Sequence, residues 1–104
     1  MVQNLYLDTR GLCDKPLTFS RAVISGLADG GGLFVPEIIP HLSLEEIVDL
    51  AEMPYAKRAA SIYKAFGVDF CDEEIEALMT AAYGDNFGDT DICPINSLDG
   101  NTHL

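Results

Sequence analysis

Three consecutive glycines, Gly30 to Gly32, constrain the fold of this chain more than any other feature of its sequence. Glycine costs about 1 kcal/mol per residue relative to alanine inside a helix, so no helix continues through such a run. A helix predicted over residues 21–28 must end here, and the apolar segment 33–35 is predicted to be extended. A phosphate-binding loop has the opposite order, with glycines before a helix and a Lys-Ser or Lys-Thr pair after them. The run therefore predicts a tight turn from a helix to a strand.

The helix that precedes the glycines is predicted to begin at Ser20, whose hydroxyl is suited to capping a helix N-terminus. Phe19 and Ile24 occupy the two positions of a hydrophobic staple around that cap. Val23, Ile24 and Leu27 recur at helical spacing. These three residues are predicted to form the face of the helix that packs inward.

Local signals also mark the helices that follow. Ser43 and Glu46 form a capping box, which predicts a helix that ends near Met53. Asp72 is the predicted N-cap of a later helix that Gly84 ends. Between these two, a further helix is predicted, with Pro54 at its first position and Gly67 as its C-cap.

These elements define the predicted fold class and domain organisation. Short strands are predicted over residues 5–7, 17–19 and 33–35, too few for a large sheet. We expect an α+β fold, a small and mainly helical domain with a few short strands, over residues 1–84. Residues 85–104 contain four aspartates and no Lys or Arg. They are interpreted as a linker or as the start of a catalytic domain that is not present.

The charge balance excludes two classes of partner. The chain of 104 residues has 17 acidic and 6 basic residues, a formal net charge of -11. Such a chain repels phosphate backbones and anionic membrane surfaces, so neither nucleic acid nor a membrane is an expected partner. The acidic residues are interpreted as a solvated surface that keeps the protein soluble.

Cysteine usage gives no sign of a disulfide framework or a zinc site. Cys13, Cys71 and Cys93 are odd in number and far apart, and His41 and His103 do not complete a metal pattern. Free thiols in a reducing compartment are expected. We see neither a signal peptide nor the roughly 20 apolar residues of a membrane helix, and a cytoplasmic location is predicted.

No residue is assigned a catalytic, cofactor-binding or metal-binding role from its pattern. Lys15 lies in a polar loop, and Lys57 and Lys64 lie on the polar face of a helix, so all three are predicted to be solvated. Arg10, beside Gly11, either binds an anionic group or has a structural role, in which it ties down the loop or pairs across a domain interface. We favour the structural role.

The order of several short segments resembles the amino-terminal domain of threonine synthase. The Asp29–Pro36 string is the most specific of them, and the match covers nearly the whole chain. One departure is Asp8, where the family often has serine, and this leaves open which hydrogen bonds that loop makes. The other matching pieces are Tyr6 with Thr9–Gly11, Phe19–Val23, Gly26–Ala28, Ile39–Pro40 and Leu42–Glu46, followed less sharply by Tyr55–Ala56, Ala81–Tyr83 and Phe87.

The resemblance implies a fold, a cofactor and a reaction. Threonine synthases are fold-type II enzymes that depend on pyridoxal 5'-phosphate (PLP) and convert O-phospho-L-homoserine and water into L-threonine and phosphate. In the family the PLP lysine follows shortly after the point that corresponds to Leu104. The resemblance therefore implies a domain fragment that binds no PLP, is inactive alone and has the missing catalytic domain as its partner. Two alternatives stay open: a related phospho-lyase with another substrate, and a free-standing acidic interaction domain.

Overall fold

The computed structural model describes residues 3–84 and 91–104, so Phe87, the last residue of the resemblance, lies outside the described residues. Within these ranges the chain forms four helices and two small antiparallel sheets. This confirms the predicted α+β class. The elements are β1 (Tyr6–Asp8), α1 (Phe19–Ser25), β2 (Phe34–Pro36), α2 (Leu44–Ala51), α3 (Tyr55–Ala65), α4 (Asp72–Ala82), β3 (Ser97–Asp99) and β4 (Thr102–His103).

The first sheet joins the amino terminus to the segment after the glycine run. Strand β1 pairs with β2 so that Leu7 lies opposite Val35. On its other side β1 forms a single bridge from Tyr6 to Leu17. The predicted strands at 5–7 and 33–35 are thus present with bounds shifted by one residue. The third predicted strand is reduced to the bridge, because Phe19 already begins a helix.

The start of α1 was predicted wrongly. The N-cap is Thr18, whose hydroxyl accepts a hydrogen bond from the Arg21 backbone N–H. The backbone N–H and the hydroxyl of Ser20 both donate to the carboxylate of Asp69, 49 residues away. A side chain from a distant loop therefore covers the start of this helix, which local sequence cannot reveal. The helix also ends earlier than predicted, at Gly26, whose φ of 71° suits only glycine.

The predicted inner face of α1 is exposed. Val23, Ile24 and Leu27 show 63%, 82% and 65% of their surface to solvent. The residue of α1 that is buried is Ala22. Phe19 packs edge-on against Tyr63, with ring centroids 6.0 Å apart, so the predicted staple to Ile24 does not form. The helix therefore packs Phe19 and Ala22 inward and exposes Val23 and Ile24.

Helix α2 is fixed at its ends. The Ser43 backbone N–H donates to Glu46 Oε2 at 2.7 Å, and the Glu46 N–H donates to Ser43 Oγ at 3.2 Å. The predicted capping box is thereby confirmed. At the other end, Arg58 Nε donates to the carbonyl of Leu50 at 2.9 Å, and its Nη2 donates to that of Met53 at 3.1 Å. The Leu50 carbonyl lies in the last turn of α2, where carbonyls lack the usual helical partner, and Met53 lies just beyond the helix.

Replacing Arg58 with alanine is expected to lower the free energy of unfolding by about 2 kcal/mol, because charged hydrogen bonds to these carbonyls are lost. Lys57→Ala is the matched control, since Lys57 is exposed on the same helix, and a change below about 0.5 kcal/mol is expected there. Urea denaturation followed by circular dichroism measures both. Equal effects of the two substitutions would show that Arg58 does not anchor the end of α2.

The core lies between α3 and α4. Ala60, Val68 and Ile75 are its buried residues, and Phe19, Tyr63 and Met79 pack against it. Two predicted ends differ here. Pro54 is the N-cap of α3 rather than its first residue, and Cys71 rather than Asp72 is the N-cap of α4. The Cys71 backbone N–H donates to Glu74 Oε2 at 3.0 Å, and Asp72 is already helical.

The contact between Ser20 and Asp69 makes stability depend on pH. Partial burial acts to raise the pKa of Asp69, but the hydrogen bonds from Ser20 outweigh it, and the pKa lies below its usual value. A lowered pKa stabilises the fold above the unfolded value of about 3.9, and this stabilisation is lost as the pH falls through the folded value. We expect the stability gap between the native chain and Asp69→Asn to close below about pH 4. Chemical denaturation at pH 3 to 7 measures this gap, and a constant gap would contradict the assignment.

A hairpin was not predicted in the tail. Strands β3 and β4 pair around Gly100, and Asp99 Oδ1 accepts hydrogen bonds from the backbone N–H groups of Asn101 and Thr102. The Asp-Gly pair is a recognised hairpin signal, which the interpretation of residues 85–104 as a linker or the start of a missing catalytic domain did not use. The residues of both strands are exposed.

The chain exposes more surface than a compact monomer of its size. Its accessible surface is 7784 Å² for a mass of 11.3 kDa. A folded monomer of that mass exposes about 5,700 Å². The radius of gyration is 16.4 Å, against about 13 Å for a compact domain of this length. The apolar residues on α1 and α2 contribute to this excess.

Candidate functional site

Two loops that the sequence singled out lie against each other. The first is the Asp8–Gly11 turn, and the second is the Gly30–Gly32 turn; together we call them the loop pair. The backbone N–H of Thr9 donates to the carbonyl of Leu33 at 2.9 Å. In return, the Leu33 N–H donates to Thr9 Oγ1 at 3.0 Å. These bonds continue the β1–β2 ladder, so the sheet positions both loops.

Arg10 has a structural contact inside the loop pair. Its Nη1 donates to the carbonyl of Gly30 at 2.5 Å. The side chain is exposed along much of its length and crosses the glycine turn. This agrees with the structural role favoured from the sequence. The contact joins the two loops through a charged donor and a backbone acceptor, which is one of the stronger kinds of hydrogen bond.

Asp8 shapes the first loop from within. Its carboxylate accepts hydrogen bonds from the backbone N–H groups of Leu12 at 2.9 Å and Cys13 at 3.3 Å. The bond from Leu12 contributes most to lowering the pKa of Asp8 below its usual value. This answers the question left by the departure from serine, because an aspartate here supplies acceptors for two backbone donors.

The glycine turn fits tightly around the first loop. Gly30 and Gly31 have φ values of 87° and 86°, a region that L side chains rarely adopt. A Cβ atom on Gly31 would lie 3.2 Å from Arg10 Nη1. The Gly31 N–H donates to Ala28 and the Ala28 N–H donates to the Gly32 carbonyl, both at 2.9 Å. The run forms the predicted tight turn before β2, but it does not end the helix, because α1 ends at Ser25 with Gly26 as its C-cap.

None of the three lysines has the setting that a PLP lysine needs. A Schiff-base lysine is activated by burial that lowers the pKa of its amine. Lys15 and Lys57 are exposed. Lys64 pairs with Glu76 at 2.7 Å, and this hydrogen bond raises the pKa of Lys64. The residues of the described ranges therefore do not fit the cofactor, and we derive no step of its chemistry from them.

Residues 3–84 and 91–104 contain neither a metal-binding cluster nor a membrane-spanning helix. No group of three His, Cys, Asp or Glu side chains is placed to hold a metal ion in these ranges. No helix in them is both long and apolar enough to cross a bilayer. Cys13, Cys71 and Cys93 carry free thiols in the structure. The loop pair is therefore the feature that the sequence and the structure both point to.

Comparisons with known proteins identify the fold. A family profile described as "Threonine synthase N terminus" matches residues 5–83. A crystal structure of PLP-bound threonine synthase from Brucella melitensis superposes with a TM-score of 0.82 at 31% identity, covering 98% of this chain and 22% of that one. The fold is that of the amino-terminal region of a PLP-bound enzyme.

Sequence relatives give the same family. Threonine synthase from Pseudomonas aeruginosa is 33% identical over 97 residues, which are 92% of this chain and 20% of the relative. Threonine synthase from Corynebacterium glutamicum is 34% identical, over 95% of this chain and 22% of the relative. The mouse protein named threonine synthase-like 1 is 35% identical, over 95% of this chain and 15% of the relative. The chain belongs to the threonine synthase family, and it spans about a fifth of the length of these relatives.

Sequence reasoning missed the contacts that lock the loop pair. The Thr9 hydroxyl accepts from Leu33, and the Asp8 carboxylate accepts from two backbone groups. The turn signal of Asp8 and Gly11 was visible in the sequence. The partner of Thr9, 24 residues along the chain, was not.

Proposed function

We propose that this chain is the amino-terminal domain of a PLP-dependent threonine synthase, a carbon–oxygen lyase that converts O-phospho-L-homoserine and water to L-threonine and phosphate in the cytoplasm. The observation that carries the proposal is the match of residues 5–83 to the family's amino-terminal region. The PLP lysine and the substrate contacts would then lie in polypeptide outside this chain. Alone, the chain would bind no PLP and turn over no substrate.

Within such an enzyme the loop pair would face the active-site cleft. Support comes from its rigidity: three hydrogen bonds join the loops, through Thr9, Leu33 and the Arg10 contact with Gly30. Exposed loops held this firmly on a sheet are suited to delimiting a binding site. The domain's contribution would be to position and cover, while the chemical groups come from the larger part of the enzyme.

The complete gene provides the direct test. Its sequence beyond the codon for Leu104 is expected to encode a lysine-bearing PLP segment, and its product is expected to release phosphate and form threonine from O-phosphohomoserine. A stop codon directly after Leu104 would overturn the proposal and favour an acidic interaction domain. The isolated chain mixed with PLP is expected to show no imine absorbance that survives dialysis.

A second candidate is a threonine synthase-like phospho-lyase with another substrate. The 35% identity to the mouse protein named threonine synthase-like 1 favours it, because that identity matches those of the threonine synthases. The same purified gene product distinguishes the two. Phosphate release from a different phosphorylated amino acid, with none from O-phosphohomoserine, would replace the first candidate with the second.

A further inference from the structure

We infer that an apolar groove between α1 and β2 is the surface through which this domain docks on the remaining, catalytic part of the threonine synthase polypeptide. The inference rests on the proposed function and adds to it the location of the interface. The groove has a volume of about 350 Å³, and its lining includes Tyr6, Phe19, Ala22, Val23, Leu33 and Phe34.

Helix α1 turns part of its apolar surface away from the core. A surface helix normally turns its apolar stripe toward the core and its polar residues toward water. Here Phe19 and Ala22 face the core, while Val23 and Ile24 of the helix and Leu27 just beyond it are exposed. Val23 forms one wall of the groove and Leu33, also exposed, forms another. Contiguous exposed apolar patches of this kind mark interaction sites.

Charge separates this groove from the hollow between α2 and α3. The hollow between α2 and α3 is lined in part by Glu46, Asp49 and Lys64, whose charges must be desolvated when a partner covers them. Among the described residues, no charged side chain lines the α1–β2 groove, and Arg21 is the one charged residue of α1. Covering the groove therefore costs little desolvation, whereas covering the α2–α3 hollow costs more.

The edge of the sheet shows how the partner binds. A free strand edge can accept a further strand through its backbone N–H and carbonyl groups. Pro36 in β2 has no N–H to offer, which disfavours strand addition at this edge. The partner's side chains, rather than its backbone, would then fill the groove.

The length of the matched relatives identifies the occupant as a large body. About four-fifths of their length lies outside the segment that corresponds to this chain. A body of that size can bury the groove together with the exposed residues beside it, which a short peptide cannot do.

The groove and the loop pair would face the same body. Leu33 lines the groove, and its backbone bonds Thr9 of the first loop. A catalytic region that fills the groove therefore also lies beside the loop pair. This places the interface and the proposed cleft-facing loops on one side of the domain.

A chimera tests the inference. This chain replaces the matched fifth of Pseudomonas aeruginosa threonine synthase, and both the chimera and the isolated chain are labelled with a photoactivated carbene and analysed by peptide mass spectrometry. We expect labelling of residues 19–27 to fall roughly fivefold or more on joining, because the centre of an interface packs like a protein interior. Residues 44–51 of α2 are the matched control, and a fall of less than about twofold is expected there.

Each outcome of the labelling decides the inference. Equal labelling of residues 19–27 in the two proteins would overturn it. Protection that appears in the isolated chain as its concentration rises would assign the groove to a second copy of this chain, which also overturns it. Threonine formation by the chimera is recorded separately, so an active chimera with an unprotected groove rejects the interface while leaving the proposed function standing.

Two matched substitutions provide a second test that does not need a stable chimera. This chain and the remainder of the Pseudomonas enzyme are produced as separate chains in one cell and purified through a tag on the remainder. Val23→Glu places a carboxylate in the groove, and Val48→Glu does the same on α2, where the valine is similarly exposed. We expect recovery of the Val23→Glu chain to fall roughly tenfold and that of the Val48→Glu chain to stay unchanged. The reverse result, or equal recovery, contradicts the inference.

Discussion

Replacing Ile75 with alanine is expected to lower the free energy of unfolding by about 3 kcal/mol. Ile75 is 2% exposed and lies in the core with Ala60 and Val68. Removing its larger side chain loses the transfer free energy of the deleted carbons and leaves a cavity that rigid helices α3 and α4 cannot fill. In a domain of this size the change removes a large share of the total stability. Urea denaturation followed by circular dichroism gives the value.

Leu78→Ala is the matched control for the core substitution. Leu78 lies on the same helix α4 and is 49% exposed. About half of the Leu78 side chain already contacts solvent, so truncating it removes less buried apolar surface. We therefore expect the free energy of unfolding to fall by less than about 1 kcal/mol. If Ile75→Ala cost no more than Leu78→Ala, the contact between α3 and α4 would not be the centre of the fold.

Helices with signals in their own sequence could be predicted. The capping box of Ser43 and Glu46 consists of bonds between residues three apart, so the sequence contains both partners. The glycine run likewise turns the chain toward β2 for local reasons, although α1 has already ended at Gly26. Errors of one residue at Pro54 and Asp72 reflect how weakly side chains fix the exact start of a helix.

Long-range partners could not be predicted. Asp69 covers the start of α1 from 49 residues away, and no pattern in the sequence links it to Ser20. Asn4 is similar: its amide donates to the carbonyl of Ile38 at 2.6 Å and its carbonyl oxygen accepts from the Ile38 N–H at 3.2 Å. Such bonds depend on tertiary folding, which brings segments together after local structure has been specified.

The orientation of α1 is the most informative error. Periodicity correctly placed Val23 and Ile24 on one side of a helix, yet that side is exposed rather than buried. The pattern reports that a face is apolar and is silent on which body covers it. A partner that covers this face would explain why Val23 and Ile24 were predicted to be buried but are exposed in the isolated domain. The error in the prediction thus points to the proposed interface.

The two turns of the loop pair could be predicted from the sequence, but the contact between them could not. The turns at Asp8–Gly11 and Gly30–Gly32 follow from aspartate and glycine chemistry. Their contact follows from the register of β1 and β2, which places Asp8 opposite Phe34. Short strands with weak alternation do not fix their partner from sequence. Threonine synthase resemblance supplied the family, and the structure supplied the contacts.

Replacing Gly31 with valine is expected to cost about 2 to 3 kcal/mol of stability and to separate the loop pair. Its φ of 86° is unfavourable for any residue with a Cβ, and a β-branched residue is the least tolerant. The new Cβ would also lie 3.2 Å from Arg10 Nη1 and displace the guanidinium from the Gly30 carbonyl. Thermal denaturation measures the loss, and faster amide hydrogen exchange at Thr9 and Leu33 reports the separation.

Gly26→Val separates the two causes. Gly26 has a φ of 71° and a ψ of -113°, outside the left-handed helical region, but among the described residues no atom beyond its chain neighbours lies within 4 Å of the position of its Cβ. The substitution therefore introduces backbone strain without the contact with Arg10, and a loss of about 2 to 3 kcal/mol is expected, with exchange at Thr9 unchanged. Faster exchange at Thr9 in Gly31→Val alone assigns the loop contact to the close approach of Arg10. Equal exchange in both variants would show that the contact between Arg10 and Gly30 does not hold the loops together. Backbone strain alone would then account for the loss of stability.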